Sequence, residues 1–223
     1  MRDYLASASM SEITWAVEHG LADGVTTSPA MLSAERPGPA EGRDLLAEIG
    51  RAVALPVHAS VSSVEPAAMY RDGRELAKLS DNIVVQVPLV DDAVVAIRRL
   101  TAEGVRVAAT LVFNAAQALL AAKAGAVVAV VPFDQLSSFG SATLAVVEEI
   151  RGLFDRGDVE CDVMTSFPRD AAEFTACGLA GADAATLDGA VLRSLLVHPL
   201  TDRGIDAFLR ELSTRPTPRI APV

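Results

Sequence analysis

The feature that most constrains the fold is an alternation of strand-like and helix-like segments, repeated about every 25 residues. Eight consecutive β-α units within 223 residues predict a single-domain (β/α)8 TIM barrel. A doubly wound parallel sheet is the alternative, but no Gly-rich phosphate fingerprint follows the first strand. The predicted strands are 4–8, 24–29 with its exit loop, 55–61, 81–88, 105–113, 126–133, 159–165 and 182–187. The predicted helices are 11–18, 44–53, 66–79, 91–102, 115–124, 141–154, 168–176, 189–196 and 201–212.

Composition and charge exclude several classes of protein. The net charge of −10 leaves no basic footprint for nucleic acid, and no window has the roughly 18 apolar residues of a membrane span. Two cysteines, Cys161 and Cys177, give no disulfide framework, and the N-terminus has no apolar signal core, so we expect a cytoplasmic protein. No spacing of His, Cys, Asp or Glu predicts a metal site, and we expect no cofactor. Residues 1–212 are predicted to form the barrel, and 213–223 a Pro-rich tail that is mobile or bound to a partner.

One strand carries a polar residue in an otherwise apolar run. Residues 81–88 read DNIVVQVP, a stretch rich in β-branched residues that is typical of a strand buried on both faces. Gln86 lies near the end of that strand, and Pro88 terminates it. A buried amide must find hydrogen bonds or it costs free energy, so Gln86 indicates either a site or a structural hydrogen bond.

Several stretches, in chain order, resemble the small transaldolases and fructose-6-phosphate aldolases. They are residues 23–29 (DGVTTSP), 81–88 (DNIVVQVP), 110–113 (TLVF), 115–126 (AAQALLAAKAGA) and 198–202 (HPLTD). The resemblance runs from residue 1 to about residue 212 and implies the same barrel. It also implies cytoplasmic homo-oligomers, often decamers, tied by the C-terminal helix. Members of the family act on sugars through a Schiff base formed by a lysine on the fourth strand.

This sequence departs from the family at the positions that carry the chemistry. Gln86 stands where the resemblance places the lysine, and an amide nitrogen cannot form an iminium because its lone pair is delocalised. The only two lysines, Lys78 and Lys123, are predicted to lie on outer helices. Family polar groups are replaced by Ala6, Ser28, Ser60 and Ala108, the phosphate-binding Arg falls near Gln135, and the loop after Ser166 is two residues shorter. Thr110, Phe133 and Ser166 still match.

Residues of barrel strands point inward alternately, which predicts the lining of the pocket. If Gln86 faces inward, so do Ser28, His58, Ser60, Thr110, Val131, Phe133, Ser166, Thr186 and Asp188. His58 is either an acid/base or a buried imidazole that bonds Ser60 or Gln86, and Asp188 is either an acid/base or a helix N-cap. Gln86 either orients a carbonyl or makes a structural bond. Ser28, Ser60, Thr110 and Ser166 are candidates to hold hydroxyl groups of a substrate, with Phe133 beside them, or are satisfied locally.

Two functions of different classes follow. The first is an enzyme of lyase or isomerase type, with Gln86, His58 and Asp188 performing lysine-independent proton transfer, dehydration or cyclisation on a small polar or carbonyl-bearing substrate. The second is an inactive homologue that serves as a ligand-binding or assembly subunit. Residual aldolase or transaldolase activity through another amine is a third reading.

Overall fold

Eight parallel strands close into a barrel in chain order, so the predicted (β/α)8 fold is confirmed. The computed structural model describes residues 1–138 and 143–214. All neighbouring strands pair in parallel, and β8 closes onto β1 through five residue pairs. The strands are β1 Arg2–Ala6, β2 Gly24–Thr26, β3 Val57–Ser60, β4 Ile83–Pro88, β5 Val107–Thr110, β6 Val128–Pro132, β7 Asp162–Ser166 and β8 Ala184–Asp188.

Helices surround the barrel and return the chain from the C-terminal end of each strand to the N-terminal end of the next. They are α1 Met10–Glu18, α2 Pro29–Glu35, α3 Pro39–Ala52, α4 Pro66–Ala77, α5 Ala93–Ala102, α6 Ala115–Lys123, α7 Phe133–Ser138, α8 Thr143–Gly157, α9 Ala171–Leu179, α10 Gly189–Ser194 and α11 Pro199–Thr214. The short helices α2 and α7 were not predicted. The first helix, predicted from residue 11, begins one residue earlier in the structure, with Ser9 at the N-cap.

The core has two layers, as the alternation of side chains across a strand requires. Inside the barrel, small and medium side chains fill the interior around Tyr4, Val84 and Met164. A larger cluster lies between the strands and the helices, and it includes Val85, Val87 and Ile97. Val84 faces inward while Val85 and Val87 face outward, so Gln86 shares the inward face of β4 with Val84.

The last helix, α11, has no contact with the barrel that buries a side chain. Each of its described side chains is exposed, including the large apolar Leu200, Ile205, Phe208 and Leu209. The predicted tail lies outside the described residues from position 215 onward. Among the described residues, no helix is long and apolar enough to cross a membrane.

Candidate functional site

A cavity of about 220 Å³ lies at the C-terminal ends of the barrel strands, and we call it the mouth. In (β/α)8 barrels this end carries the active site, because the loops after the strands converge there. The lining combines hydroxyls, amides and a few apolar groups. It comprises Thr26, Thr27, Ser28, Met31, Ser60, Gln86, Thr110, Leu111, Val130, Pro132, Asp134, Gln135, Ser166, Phe167 and Thr186.

Gln86 is held in the mouth by two neighbouring side chains on β3. Ser60 Oγ donates to Gln86 Oε1 at 2.8 Å, and Gln86 Nε2 lies 3.4 Å from His58 Nδ1. The register of β3 and β4 places Ser60 directly opposite Gln86 and His58 one layer deeper. The amide oxygen therefore accepts from Ser60, and the amide nitrogen, which has two N–H groups, keeps donor capacity beyond the contact with His58.

His58 is a buried, neutral imidazole beneath Gln86. It is only 1% exposed, its ring centroid lies 5.0 Å from that of Tyr4, and it does not line the mouth. Burial lowers the pKa of His58 to about 3, with smaller contributions from Arg106 and Arg2, so the ring is uncharged at neutral pH. Because an amide N–H can only donate, Nδ1 of His58 accepts and its proton lies on Nε2. The geometry is that of the structural alternative, in which His58 positions Gln86.

One hydroxyl of the mouth has no internal partner. Thr26 Oγ1 is buried and makes no hydrogen bond within the part of the chain that the structure describes. Buried polar atoms without partners are rare in native proteins, and each marks strain, an unseen water or a place for a ligand. Ser28, in contrast, is partly used, because its hydroxyl accepts from Met31 N at the start of α2.

Known proteins are similar to this chain over most of its length. The family described as "Transaldolase/Fructose-6-phosphate aldolase" matches residues 4–216. The chain belongs to this family. A "Probable transaldolase" from Desulfosudis oleivorans is 38% identical over 212 residues, covering 95% of this chain and 97% of that protein. A "Probable transaldolase" from Thermoplasma volcanium is 35% identical over 212 residues, covering 95% of both chains.

A solved structure supports the fold alone. The N-acetylmannosamine-6-phosphate 2-epimerase from Clostridium perfringens superposes with a TM-score of 0.61 at 15% identity, covering 92% of this chain and 93% of the epimerase. At this level of identity the structural similarity supports the barrel fold and says nothing about the substrate.

Both lysines of this transaldolase-family chain lie away from the mouth. Lys78 follows α4 and contacts Glu75 at 2.6 Å, and Lys123 is the last residue of α6. These helices run back to the N-terminal ends of the next strands, so both amines lie at the opposite end of the barrel. The expected outer position of both lysines is confirmed.

Three of the residues predicted to face the pocket lie elsewhere. The inward direction expected for Val131 and Phe133 is wrong: Val128 and Val130 point into the barrel, and Val131 and Phe133 belong to the outer cluster. Asp188 is exposed, and its Oδ1 accepts from Val191 N at 2.8 Å, which makes it the N-cap of α10. Asp188 does not line the mouth.

Sequence reasoning missed a carboxylate that lines the mouth, Asp134. Asp134 lies in the first turn of α7, two residues beyond the end of β6. Its position directly after a strand was the available signal, because barrel sites are built from residues that follow strand ends. The predicted strand 126–133 ended one residue too late, which left Asp134 without an assigned place.

Backbone conformation also distinguishes the mouth. Leu111 and Phe167, which directly follow β5 and β7, have φ of 59° and 58°. Bulky residues rarely adopt the left-handed region, and such strain concentrates at functional sites. Metal ligation has no support in the described residues, which contain no group of three or more His, Cys, Asp or Glu able to hold an ion.

Proposed function

We propose that this transaldolase-family barrel binds a small hydroxylated, carbonyl-bearing molecule at the mouth and transfers a proton on it without a Schiff base. The observation that carries the proposal is the donor capacity that the amide of Gln86 retains at the mouth, beside lining residues that bear hydroxyl groups. An inactive site that had decayed would be expected to fill with apolar packing. The mouth instead keeps hydroxyls from β5, β7 and β8 beside the amide.

Gln86 and Asp134 supply the two groups that enolisation of a carbonyl compound requires. The carboxylate of Asp134 accepts the proton from the carbon next to the carbonyl. The electron pair of that C–H bond forms the C=C bond, and the carbonyl oxygen becomes an enolate oxygen that the Gln86 N–H stabilises. Isomerisation follows when Asp134 returns the proton to the former carbonyl carbon while the proton of the adjacent hydroxyl passes to the enolate oxygen, so that this hydroxyl becomes the new carbonyl. Dehydration follows when the enolate re-forms the carbonyl and expels a β-hydroxyl, which takes the proton from Asp134 and leaves as water, so both predicted reaction types share the enolate.

His58 and Ser60 act in this proposal through Gln86. Ser60 fixes the amide oxygen and neutral His58 fixes one N–H, so the second N–H has a defined direction at the moment of reaction. An amide that needs no reorientation stabilises a developing charge better than one that must turn. His58 is therefore assigned as a positioning residue and Asp188 as a helix cap, in place of the acid/base roles considered for them.

Hydrogen–deuterium exchange tests the proposal directly. The protein is incubated with 1-hydroxypropan-2-one in D2O, and loss of the signal next to the carbonyl is followed by ¹H NMR. We expect exchange above the buffer rate, lowered at least tenfold in Asp134→Asn and in Gln86→Leu. Asp188→Asn, which keeps an N-cap side chain, is the matched control and should exchange like the wild type. Exchange that persists in Asp134→Asn would remove the assigned base.

The second candidate, an inactive ligand-binding or assembly subunit, is favoured by one observation. Neither His58 nor Asp188, the two ionisable groups expected to serve as acid/base, reaches the mouth. In the exchange experiment this candidate predicts saturation-transfer NMR signals from bound 1-hydroxypropan-2-one together with no exchange above buffer.

Residual Schiff-base activity is the least supported reading, because both lysines lie at the far end of the barrel. Borohydride reduction in the presence of dihydroxyacetone or fructose 6-phosphate should give no added mass on either lysine. A stable adduct on Lys78 or Lys123 would establish amine chemistry that the fold gives no reason to expect.

We also propose that the chain forms homo-oligomers through α11, the decamer implied by the family resemblance being one size. A 16-residue helix with an exposed apolar row is stabilised mainly by packing of that row, and within its own chain α11 buries none of it. Light scattering coupled to gel filtration should give a multiple of the 23.3 kDa chain. Phe208→Asp together with Leu209→Asp should shift the protein toward the monomer. The cytoplasmic location stays a prediction.

A further inference from the structure

A second cavity of about 420 Å³ lies outside the barrel wall, between α2, α3, α4 and the outer face of β3. We call it the cleft. Its walls are mainly apolar, with Leu32 from α2, Leu46 from α3, Leu76 from α4 and Ala59 from β3. Its volume falls in the range of cavities that bind small molecules, and apolar lining with a few polar groups is typical of such sites.

Three of the polar groups of the cleft are already paired with one another. Asp72 accepts from Ser62 N at 2.6 Å and from Ser62 Oγ at 2.8 Å, and it forms an ion pair with Arg43. Both carboxylate oxygens of Asp72 therefore already accept hydrogen bonds, and the charges of Asp72 and Arg43 offset each other. What the cleft offers to a ligand is chiefly apolar surface.

The cleft and the mouth are adjacent and open at the same end of the barrel. Ser60 lines both cavities, and the consecutive residues Ser28 and Pro29 line one each. Ser60 is the last residue of β3, and α3 starts at Pro39, so the cleft begins where the strands end. The two cavities thus lie on either side of the end of β3, where Ser60 belongs to both.

We propose that the substrate is bipartite, with a hydroxylated carbonyl head in the mouth and an apolar substituent in the cleft. This inference rests on the proposed function of the mouth and adds the class of molecule: an amphiphilic hydroxyketone or hydroxyaldehyde larger than a simple sugar. Burying an apolar substituent supplies binding free energy in proportion to the area removed from water, and the small polar mouth cannot supply that alone.

A series of 1-hydroxyalkan-2-ones of increasing chain length tests the inference. Dissociation constants are measured by ligand-observed NMR for 1-hydroxypropan-2-one, 1-hydroxyhexan-2-one and 1-hydroxynonan-2-one. Each methylene that enters the cleft should tighten binding roughly fourfold, which corresponds to about 0.8 kcal/mol per buried CH₂. Nonan-2-one, which lacks the hydroxyl of the head, should bind more weakly than 1-hydroxynonan-2-one.

Two variants fill the cleft from different sides. A Cβ at Gly42 would lie 3.6 Å from Leu32 Cβ, an ordinary contact, so Gly42→Leu places its side chain in the cleft without a backbone clash. Ser33 is exposed on α2 and lines the cleft, so Ser33→Trp fills it with little risk to folding. In both variants, the affinity should no longer increase with the length of the alkyl chain. Gly152→Leu on α8, where a Cβ meets only Arg156 at 3.8 Å, is the matched control and should keep that increase.

The outcomes separate the inference from the function on which it rests. If 1-hydroxypropan-2-one binds and longer chains bind no better, the bipartite substrate is wrong and the mouth keeps its proposed role. If nonan-2-one binds as tightly as 1-hydroxynonan-2-one without displacing 1-hydroxypropan-2-one, the cleft is a separate site and the inference is overturned. If no member of the series binds, both the inference and the proposed function fail.

Discussion

The two ends of the barrel satisfy their polar groups in different ways. At the N-terminal end of the strands, charged side chains pair with each other: Arg2 lies 2.7 Å from Asp162, and Arg151 lies 3.1 Å from Asp183. At the mouth, Asp134 is the one ionisable side chain among the described lining residues, and the rest of the polar lining is hydroxyl and amide. At the N-terminal end these ion pairs offset most of the charge, with the neighbouring carboxylates Asp3 and Asp23 as the exception, and at the mouth the polar lining keeps hydrogen-bonding capacity for a ligand.

The backbone follows the same division. Leu111 and Phe167, at the mouth, adopt positive φ, which costs a bulky residue about 1–2 kcal/mol. Asp158, the other non-glycine residue with positive φ in the described chain, lies before β7 at the opposite end and is of a type that tolerates this conformation. Backbone strain at bulky residues therefore lies at the mouth, whereas buried polar atoms without a partner in the described chain occur at both ends, with Thr26 Oγ1 at the mouth and Asn82 Oδ1 just before β4.

The largest predicted effect is a loss of folding stability at low pH that comes from His58, which lies directly beneath the mouth. Its pKa in the folded state is about 3, against 6.5 when unfolded, so the unfolded chain binds the proton more tightly. Stability from the neutral ring is complete above pH 6.5 and is lost as the pH falls toward 3. Because each unit costs about 1.4 kcal/mol, the folded state should lose about 3 kcal/mol from this residue between pH 6.5 and pH 4.

Urea denaturation at several pH values measures that effect. His58→Leu, of similar volume and without a titrating group, should show a shallower loss of unfolding free energy in this range. His19→Leu, at the exposed C-terminal cap of α1, is the control and should keep the slope of the wild type. Equal slopes in wild type and His58→Leu would mean that the imidazole gains solvent on protonation.

The second effect tests the N-terminal end. Asp183 Oδ2 accepts from the buried Val163 N at 2.7 Å and from Arg151, so it ties β8 to β7 and to α8. Asp183→Ala leaves that N–H without its partner and should lower the free energy of unfolding by about 2 kcal/mol. Asp155→Ala, which removes the exposed partner of the same arginine, should cost at most about 0.5 kcal/mol. Equal losses would show that the bond to Val163 contributes little.

The positions of the strands, and with them the two ends of the barrel, could be predicted from the sequence, because apolar runs between helical segments mark the strands. The inward direction of Gln86 was also predictable, because a single amide in an apolar strand near its end indicates the barrel interior. The direction of β6 was not, because residues 128–133 are apolar at every position and alternation leaves no signal. Because of that ambiguity, Asp134 was not predicted to line the mouth, and Phe133 was wrongly predicted to face the pocket.

Other features of the site depend on distances that no pattern encodes. The choice between a catalytic and a buried His58 needed the layer in which its ring lies, below Gln86 and against Tyr4. Whether Asp188 is an acid/base or an N-cap depends on where its carboxylate points, which the sequence does not show. The cleft arises where α2, absent from the predicted elements, packs beside α3.

The third effect is a pH dependence of opposite sign at the N-terminal end. Burial, together with the neighbouring Asp23 carboxylate, raises the pKa of Asp3 from 3.8 to about 6. The folded state therefore holds this proton more tightly, and the stability it contributes is complete below pH 3.8 and is lost as the pH rises through 6. Asp3→Asn should remove on the order of 1 kcal/mol of this dependence after solvent screening. Denaturation midpoints compared at pH 4 and pH 7 measure it, with exposed Asp92→Asn as the control; an unchanged difference between the two pH values would contradict the assignment.

The smallest effect on stability is the one that tests the contrast most directly. Gln86→Leu removes an amide from the mouth. Its partner Ser60 lies at the cavity, where water can replace the lost bond, and the buried His58 loses only a long contact of 3.4 Å. Leucine also adds apolar contact with the barrel interior, so the free energy of unfolding should change by less than about 1 kcal/mol and can rise. Binding of 1-hydroxypropan-2-one should fall at least tenfold in the same variant. A loss of stability as large as that of Asp183→Ala, with binding retained, would mean that Gln86 is a structural element and that the two ends of the barrel do not divide stability from function.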